Sequence, residues 1–382
     1  MNKNRVYKIA VMTSGGESSV YDYTAADIAK QFLGREDYEV YFIYEGFRGA
    51  TRGFEKGGIK KISLSDIEGM ENSRGGQVLK GCRGYNSFNF KGDKSDETAK
   101  NLSYFDVVFI VGGDGSMRHA SEYIAKTKNS EHPLGFVGLV GTMDGAALTY
   151  MTLGEPTAAY EILREVEASH ASAISMSRYS VVEGMGRDCG EPVADAGLLY
   201  LNKGGNVAAV ITPQVTYEIC CIAEAVLRTN GGVVIVSEGL DMIVKEEKEK
   251  KAGYHPILSG AAQYIAKELK SVLNVPENRS DELSVVDVKA TVTGYAQRAG
   301  KAVEEDRKNA DLHVAKAIEY FDQGERNFVI VDTKGRLEAM RIVDFVSANK
   351  LASDTKSINY HPKLREVLET LRDRGVYVGE FK

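Results

Sequence analysis

Two short glycine-bearing runs constrain this chain most: Val111-Gly112-Gly113-Asp114-Gly115-Ser116 and Val140-Gly141-Thr142-Met143-Asp144. The first follows an apolar run, Phe105 to Ile110, that reads as a buried parallel strand. A strand that breaks into Gly-Gly-Asp-Gly-Ser before a helix is a phosphate-binding geometry. The glycines let backbone N–H groups approach oxyanions, and the helix N-terminus adds a favourable dipole. Asp114 stands where a hard Mg²⁺ ion could be held against phosphate oxygens. After a βαβ-sized interval of about thirty residues, a second apolar run, Leu134 to Val140, ends in the turn carrying Asp144. The pair sets two acids at the carboxyl ends of two strands, where open α/β sheets bind ligands.

Length and charge narrow the class. A chain of 382 residues exceeds one simple core and suits two α/β lobes. A net charge of −6 gives no basic field for nucleic acid or an acidic membrane surface. No apolar stretch approaches the ~20 residues that span a bilayer. Cys82, Cys189, Cys220 and Cys221 have neither zinc-site spacing nor the density of a disulfide scaffold. Met1 to Val11 runs into a strand with no apolar leader, and a reducing cytoplasm is expected. Lys245 to Lys251 reads as a solvated charge run.

Strand and helix signals alternate. Strands are expected at 7–12, 38–44, 105–110, 134–140, 179–182, 206–211, 232–236, 285–292 and 327–331. Helices are expected at 23–33, 62–72, 96–102, 156–170, 192–201, 219–229, 259–273, 306–323 and 362–374, with a loop at 74–84. Such alternation implies an α/β fold of two doubly wound lobes with mainly parallel sheets. The expected division is 1–155, 156–340 and a helical tail, 341–382, packing back on the lobes.

In this order the residues resemble the phosphofructokinase family, from Lys8 to about Val331. The landmarks are Thr13-Ser14-Gly15-Gly16, Ile43 to Phe47, Gly75-Gly76 through Arg83, Gly112 to Ser116 and Gly138 to Asp144. They continue with Glu183 to Arg187, Ser237-Glu238-Gly239, Gly294 to Arg298 and Asp306-Arg307. The segments at 137–144 and 44–46 look closest to one half of a eukaryotic-type member.

The resemblance implies phosphoryl transfer from ATP or pyrophosphate to the 1-hydroxyl of fructose 6-phosphate, a glycolytic kinase. Such chemistry needs positioning, charge neutralisation and a base. By resemblance Asp144 is the base, with Thr142 and Arg187 beside it. Asp114 holds Mg²⁺. Gly16, Arg83, Gly84, Gly113, Asp114, Gly115 and Ser116 contact the donor phosphates. Thr142, Asp144, Met185, Gly186, Arg187 and Glu238 contact the sugar, and Arg178, Lys289, Tyr295 and Arg298 its phosphate. In the family some of those cations come from a neighbouring subunit. A homo-oligomer (dimer or tetramer), or a hetero-oligomer with a catalytic homologue, is therefore implied. Pyrophosphate users tend to carry Asp and Lys where this chain has Gly115 and Gly141, so ATP is the expected donor.

Four places depart from the family pattern. The turn usually reads Thr-Ile-Asp-Asn-Asp and here reads Thr142-Met143-Asp144-Gly145-Ala146. Glu17, Val20 and Tyr21 make the first loop bulky. Lys289 replaces a forked arginine, and Tyr295 a histidine. These departures support two alternatives: a weakly active or inactive regulatory subunit, or a kinase for another sugar phosphate.

Overall fold

The computed structural model describes residues 5–70, 77–82, 84–89, 92–145, 149–241, 258, 260–275, 285–353 and 357–382. The first lobe opens with β1 (Tyr7–Ser14), α1 (Tyr21–Leu33), β2 (Tyr38–Ile43), α2 (Phe47–Arg52), β3 (Ile59–Lys61) and α3 (Leu64–Ile67). It continues with α4 (Ser95–Leu102), β4 (Val107–Gly112), α5 (Asp114–Thr127), β5 (Phe136–Thr142) and β6 (Leu153–Gly154). Helix α6 (Glu155–Ser175) leads to β7 (Tyr179–Gly184), α7 (Glu191–Asn202), β8 (Val207–Ile211), β9 (Val215–Thr216), α8 (Ile219–Arg228) and β10 (Val233–Ser237). Then come α9 (Ala261–Leu273), β11 (Val288–Val292), α10 (Ala296–Ala299), α11 (Glu304–Asp322), β12 (Phe328–Asp332) and β13 (Leu337–Arg341). Helices α12 (Ile342–Ser353) and α13 (Pro362–Asp373) and strand β14 (Glu380–Phe381) end the chain.

The larger sheet has the order β13-β12-β5-β4-β1-β2-β3. Its central pairs are parallel, and only the outer pairs, β12–β13 and β2–β3, are antiparallel. The second sheet, β11-β7-β10-β8, is parallel throughout. The mixed α/β architecture with mainly parallel sheets is thus the one expected. Every residue of β4 is buried, as a strand covered by helices on both faces requires. One apolar core lies around the second sheet, and two lie on opposite faces of the first.

Three expectations change. A helix was expected over 62–72, but the described part holds only α3, opened by a capping box at Ser63 and Asp66. Strand β12, expected in the second lobe, pairs with β5 of the first sheet. Helix α11 likewise buries Ala310, Val314 and Phe321 in a first-sheet core. The hairpin partner β13 and helix α12 were not expected at all. The charge run at 245–251 and the glycines 75 and 76 lie outside the described residues.

One buried acid joins these parts. Asp306, on α11, accepts hydrogen bonds from the Gly154 amide at 2.9 Å and the Thr157 hydroxyl at 2.6 Å. Burial pushes its carboxyl up to about 6. The folded state therefore holds this proton more tightly than the unfolded chain. The group's contribution to stability is full below its ordinary value and is lost as pH rises to about 6. The expected loss is at most about 3 kcal/mol. Asp306→Asn should flatten that fall in urea melts between pH 4 and pH 6; an unchanged slope would refute the assignment.

Candidate active site

Parallel pairing sets the acids side by side. Strands β4 and β5 run in register, Gly112 opposite Val140, so their carboxyl ends open on the same edge. Gly113 is extended and caps α5, whose first residue is Asp114. A Cβ on Gly112 would lie 2.6 Å from the Ser116 Oγ and 2.7 Å from the Ser14 carbonyl, so the loop can fold this tightly only with glycine there. Beside it, the Thr142 Oγ1 accepts the Asp144 amide at 3.2 Å. Thr152 Oγ1 donates to the Thr142 carbonyl at 2.8 Å, fastening the turn.

These ends surround a cavity of about 870 Å³. Gly16, Gly84, Gly113, Asp114, Gly115, Ser116, Thr142, Asp144 and Arg187 all line it. Most of the expected donor and base residues therefore meet in one cleft. Arg83 lies outside the described residues. A Cβ on Gly115 would meet nothing within 4 Å, so the cleft is open at that point. Asp114 is exposed, at the positive end of the α5 dipole, beside backbone amides. An exposed oxygen-donor carboxylate at this place has the chemistry that suits a hard divalent cation.

The turn after β7 is built on buried charge. Glu238 accepts the Gly186 and Arg187 amides at 3.3 and 3.1 Å. Burial raises its carboxyl, and the two amide bonds oppose that rise. Arg187 itself has φ +51°, a left-handed conformation uncommon for a side-chain-bearing residue. Its carbonyl would lie 1.7 Å from a Cβ at residue 239, so Gly239 is required there. Arg298 is buried, its Nε donating to the Met185 sulfur at 3.3 Å and its Nη1 without a hydrogen-bond partner.

The other expected phosphate ligands do not gather here. Arg178 precedes β7, and its guanidinium donates to the Ser172 hydroxyl at 2.9 Å. Lys289 sits opposite Ser180 on β11 and pairs with Asp287 at 2.9 Å. Both occupy the amino ends of their strands, whereas Gly184 ends β7 and Arg187 follows it, about 17 Å along a six-residue strand. Neither Arg178 nor Lys289 lines the cleft. Tyr295 is 73% exposed.

Sequence reasoning missed two features of the cleft. The bulky first loop does not fill it. Tyr21 lies beneath Gly141, its hydroxyl donating to the Gly141 carbonyl at 2.5 Å. A Cβ on Gly141 would lie 2.5 Å from the Tyr21 ring. The glycine and the tyrosine therefore require one another, and only their packing reveals it. At the other end, the His119 ring stacks on Phe47 with centroids 4.1 Å apart, and its Nε2 lies 2.8 Å from the Ser87 hydroxyl. Burial lowers this imidazole to about 4, so it is neutral at pH 7. Its place on α5 after Asp114 was the one available signal, and a weak one.

Residues 8–321 match the family model described as phosphofructokinase. The chain is 28% identical over 347 residues to "ATP-dependent 6-phosphofructokinase 1" of Clostridium perfringens, covering 88% of this chain and 92% of the relative. It is 28% identical over 369 residues to the ATP-dependent 6-phosphofructokinase of Clostridium tetani, covering 92% and 99%. Among solved structures, phosphofructokinase from Saccharomyces cerevisiae superposes with a TM-score of 0.73 at 24% identity. That match covers 95% of this chain and 48% of the yeast chain, so this chain spans about half the yeast chain's length. A pyrophosphate-dependent phosphofructokinase from Marinobacter aquaeolei superposes with a TM-score of 0.68 at 19% identity, covering 89% and 84%. An α/β fold with a glycine-rich anion loop and paired acids defines a phosphoryl-handling class, and within it this chain belongs to the phosphofructokinase family.

The Tyr21–Gly141 packing is directly testable. Gly141→Ala should cost about 1–3 kcal/mol, as overpacking of a tight site does. In a Tyr21→Ala background the same change should cost far less in denaturant melts. Equal costs in both backgrounds would refute the contact.

Proposed function

We propose that this chain transfers the γ-phosphoryl group of ATP to the 1-hydroxyl of fructose 6-phosphate. The observation that carries the reading is the convergence of Asp114, Asp144, Arg187 and the α5 N-terminus on one cleft. Asp144 takes the proton from the sugar hydroxyl as that oxygen attacks the γ-phosphorus. The bond from that phosphorus to the bridging oxygen breaks, and ADP leaves. The Gly113–Ser116 amides and the helix dipole steady the donor phosphates. Arg187 neutralises charge that builds on the transferred group. Asp114 would hold Mg²⁺, which supplies further neutralisation of the donor phosphates when bound.

The donor follows from space and kinship. Gly115 leaves the cleft open for a nucleoside, Gly141 offers no substitute charge, and both bacterial relatives are named as ATP-dependent. Residues 1–155 then hold the donor, and the turns after β7, β10 and β11 hold the sugar phosphate. Arg298 offers its unpartnered Nη1 to the sugar's phosphate. Arg178 and Lys289, remote from their own cleft, serve a site on a second copy. An oligomer of at least two chains is therefore part of the proposal. Among the described residues no helix is long and apolar enough to cross a membrane, and the four cysteines are free thiols. The cytoplasm is the compartment we assign.

A coupled assay with Mg-ATP and fructose 6-phosphate should show turnover in the wild-type protein. Asp144→Ala should lower kcat by about 10²–10⁴, the usual loss for a removed acid–base group. Arg178→Ala should raise KM for fructose 6-phosphate with a smaller effect on KM for ATP. Absence of turnover above the Asp144→Ala background, across a panel of sugar phosphates, would refute the kinase and favour a regulatory subunit.

A further inference from the structure

Away from the cleft floor lies a buried ionic cluster that the reaction does not use. The Lys363 ammonium, at the start of α13, sits 2.9 Å from Glu155, 2.9 Å from Glu191 and 2.7 Å from Asp195. Three N–H donors meet three carboxylates, which matches the valence of an ammonium. Its side chain is only 12% exposed, and those of Glu155 and Glu191 are nearly inaccessible. Burial opposes the lysine's charge, but the three carboxylates outweigh it and hold the ammonium protonated. Burial in turn raises both glutamates, Glu191 to about 7.

The cluster's place matters more than its charge. Glu155 directly follows β6, whose Leu153 and Gly154 pair with Gly141 and Thr142. Glu191 packs against Gly145 of the same turn. A Cβ on Gly145 would be 2.9 Å from the Glu191 Cβ, Cδ and Oε2. One ammonium thus ties the strand that flanks Asp144 to the side chain that backs it. Helix α13 is anchored independently, through Leu364, Val367, Leu368 and Leu371 in the second-sheet core. At its far end Arg372 donates to the Gly379 carbonyl at 2.7 Å.

We propose that Lys363 is a positioning residue: the C-terminal helix locks the turn bearing Asp144 through Glu155 and Glu191. The ammonium touches no substrate. It holds the base in place from behind, because moving the turn would separate charges that have no water to replace their partners. The kinetic part of this inference rests on the proposed role of Asp144.

The test compares Lys363→Met with Arg372→Ala, which loosens the same helix at its other end. In Lys363→Met, kcat should fall by about 10- to 100-fold, as small displacements of reacting groups do, with KM for both substrates little changed. Arg372→Ala should leave kcat at the wild-type value. Hydrogen exchange at residues 141–145 should accelerate in Lys363→Met and not in Arg372→Ala. Should Lys363→Met fail to fold, combining it with Glu155→Gln and Glu191→Gln neutralises the two least accessible of the three stranded carboxylates and should keep the low kcat. Wild-type kcat in the lysine variant, or equal effects of both variants, would overturn the lock. Exchange needs no turnover, so a wild-type protein without activity would count against the kinase reading while exchange alone decides the lock.

Discussion

Side-by-side parallel pairing of β4 and β5 is the constraint on which the cleft depends. Parallel strands end on the same edge, so the turns after Gly112 and Thr142 are neighbours by construction. The first strand can release its chain abruptly because Gly112 carries no Cβ to meet Ser116 and the Ser14 carbonyl, and Gly141 leaves the second strand room for the Tyr21 ring. The helix that follows β4 then points its N-terminus at the space between the turns. Asp114 and Asp144 face a common cleft because hydrogen bonding in the sheet leaves their backbones no other place.

Around this frame the chain handles several buried carboxylates, each in a different way. Glu238 is satisfied by backbone amides of the Arg187 turn. Glu183 accepts the Ala262 amide at the start of α9. Asp306 bridges an amide and a hydroxyl where β6 meets α6. Glu155 and Glu191 share a lysine. A buried carboxylate without such partners would cost several kcal/mol, so each must be met by a fixed donor. These donors lie on the Arg187 turn, at the end of β6 and in the first turns of α6, α9 and α13. The acids therefore connect turns to helices at the places where the cleft needs a firm wall.

Much of the candidate site was legible from glycine placement. Gly112-Gly113-Asp114 and Gly141-Thr142 announce strand ends that must turn sharply, and the structure places them there. Strand β4 was readable because its apolar run is continuous, the mark of a strand covered on both faces. Helix α12 was not readable, because its apolar residues follow β13 without a clear break, and nothing local marks β13 as the hairpin partner of β12. The return of β12 to the first sheet was hidden for another reason. Strand pairing across almost two hundred residues leaves no local mark in composition or period. Arg178 and Lys289 show the converse limit. The family resemblance points to them as phosphate ligands, but register along the sequence does not show that both stand at the amino ends of their strands, away from their own chain's cleft.

The sequence by itself determined the local events: where strands stop, which acids follow them, and which glycines permit close backbone approach. These depend on a few adjacent residues and their allowed torsions. Tertiary structure alone decided that Tyr21 underlies Gly141, that Lys363 reaches back to Glu155 and Glu191, and that Arg178 stands at the wrong end of its strand for its own cleft. Such contacts join residues roughly one to two hundred positions apart, and the free energy that selects them comes from packing and charge compensation in the assembled core rather than from any local preference of the chain.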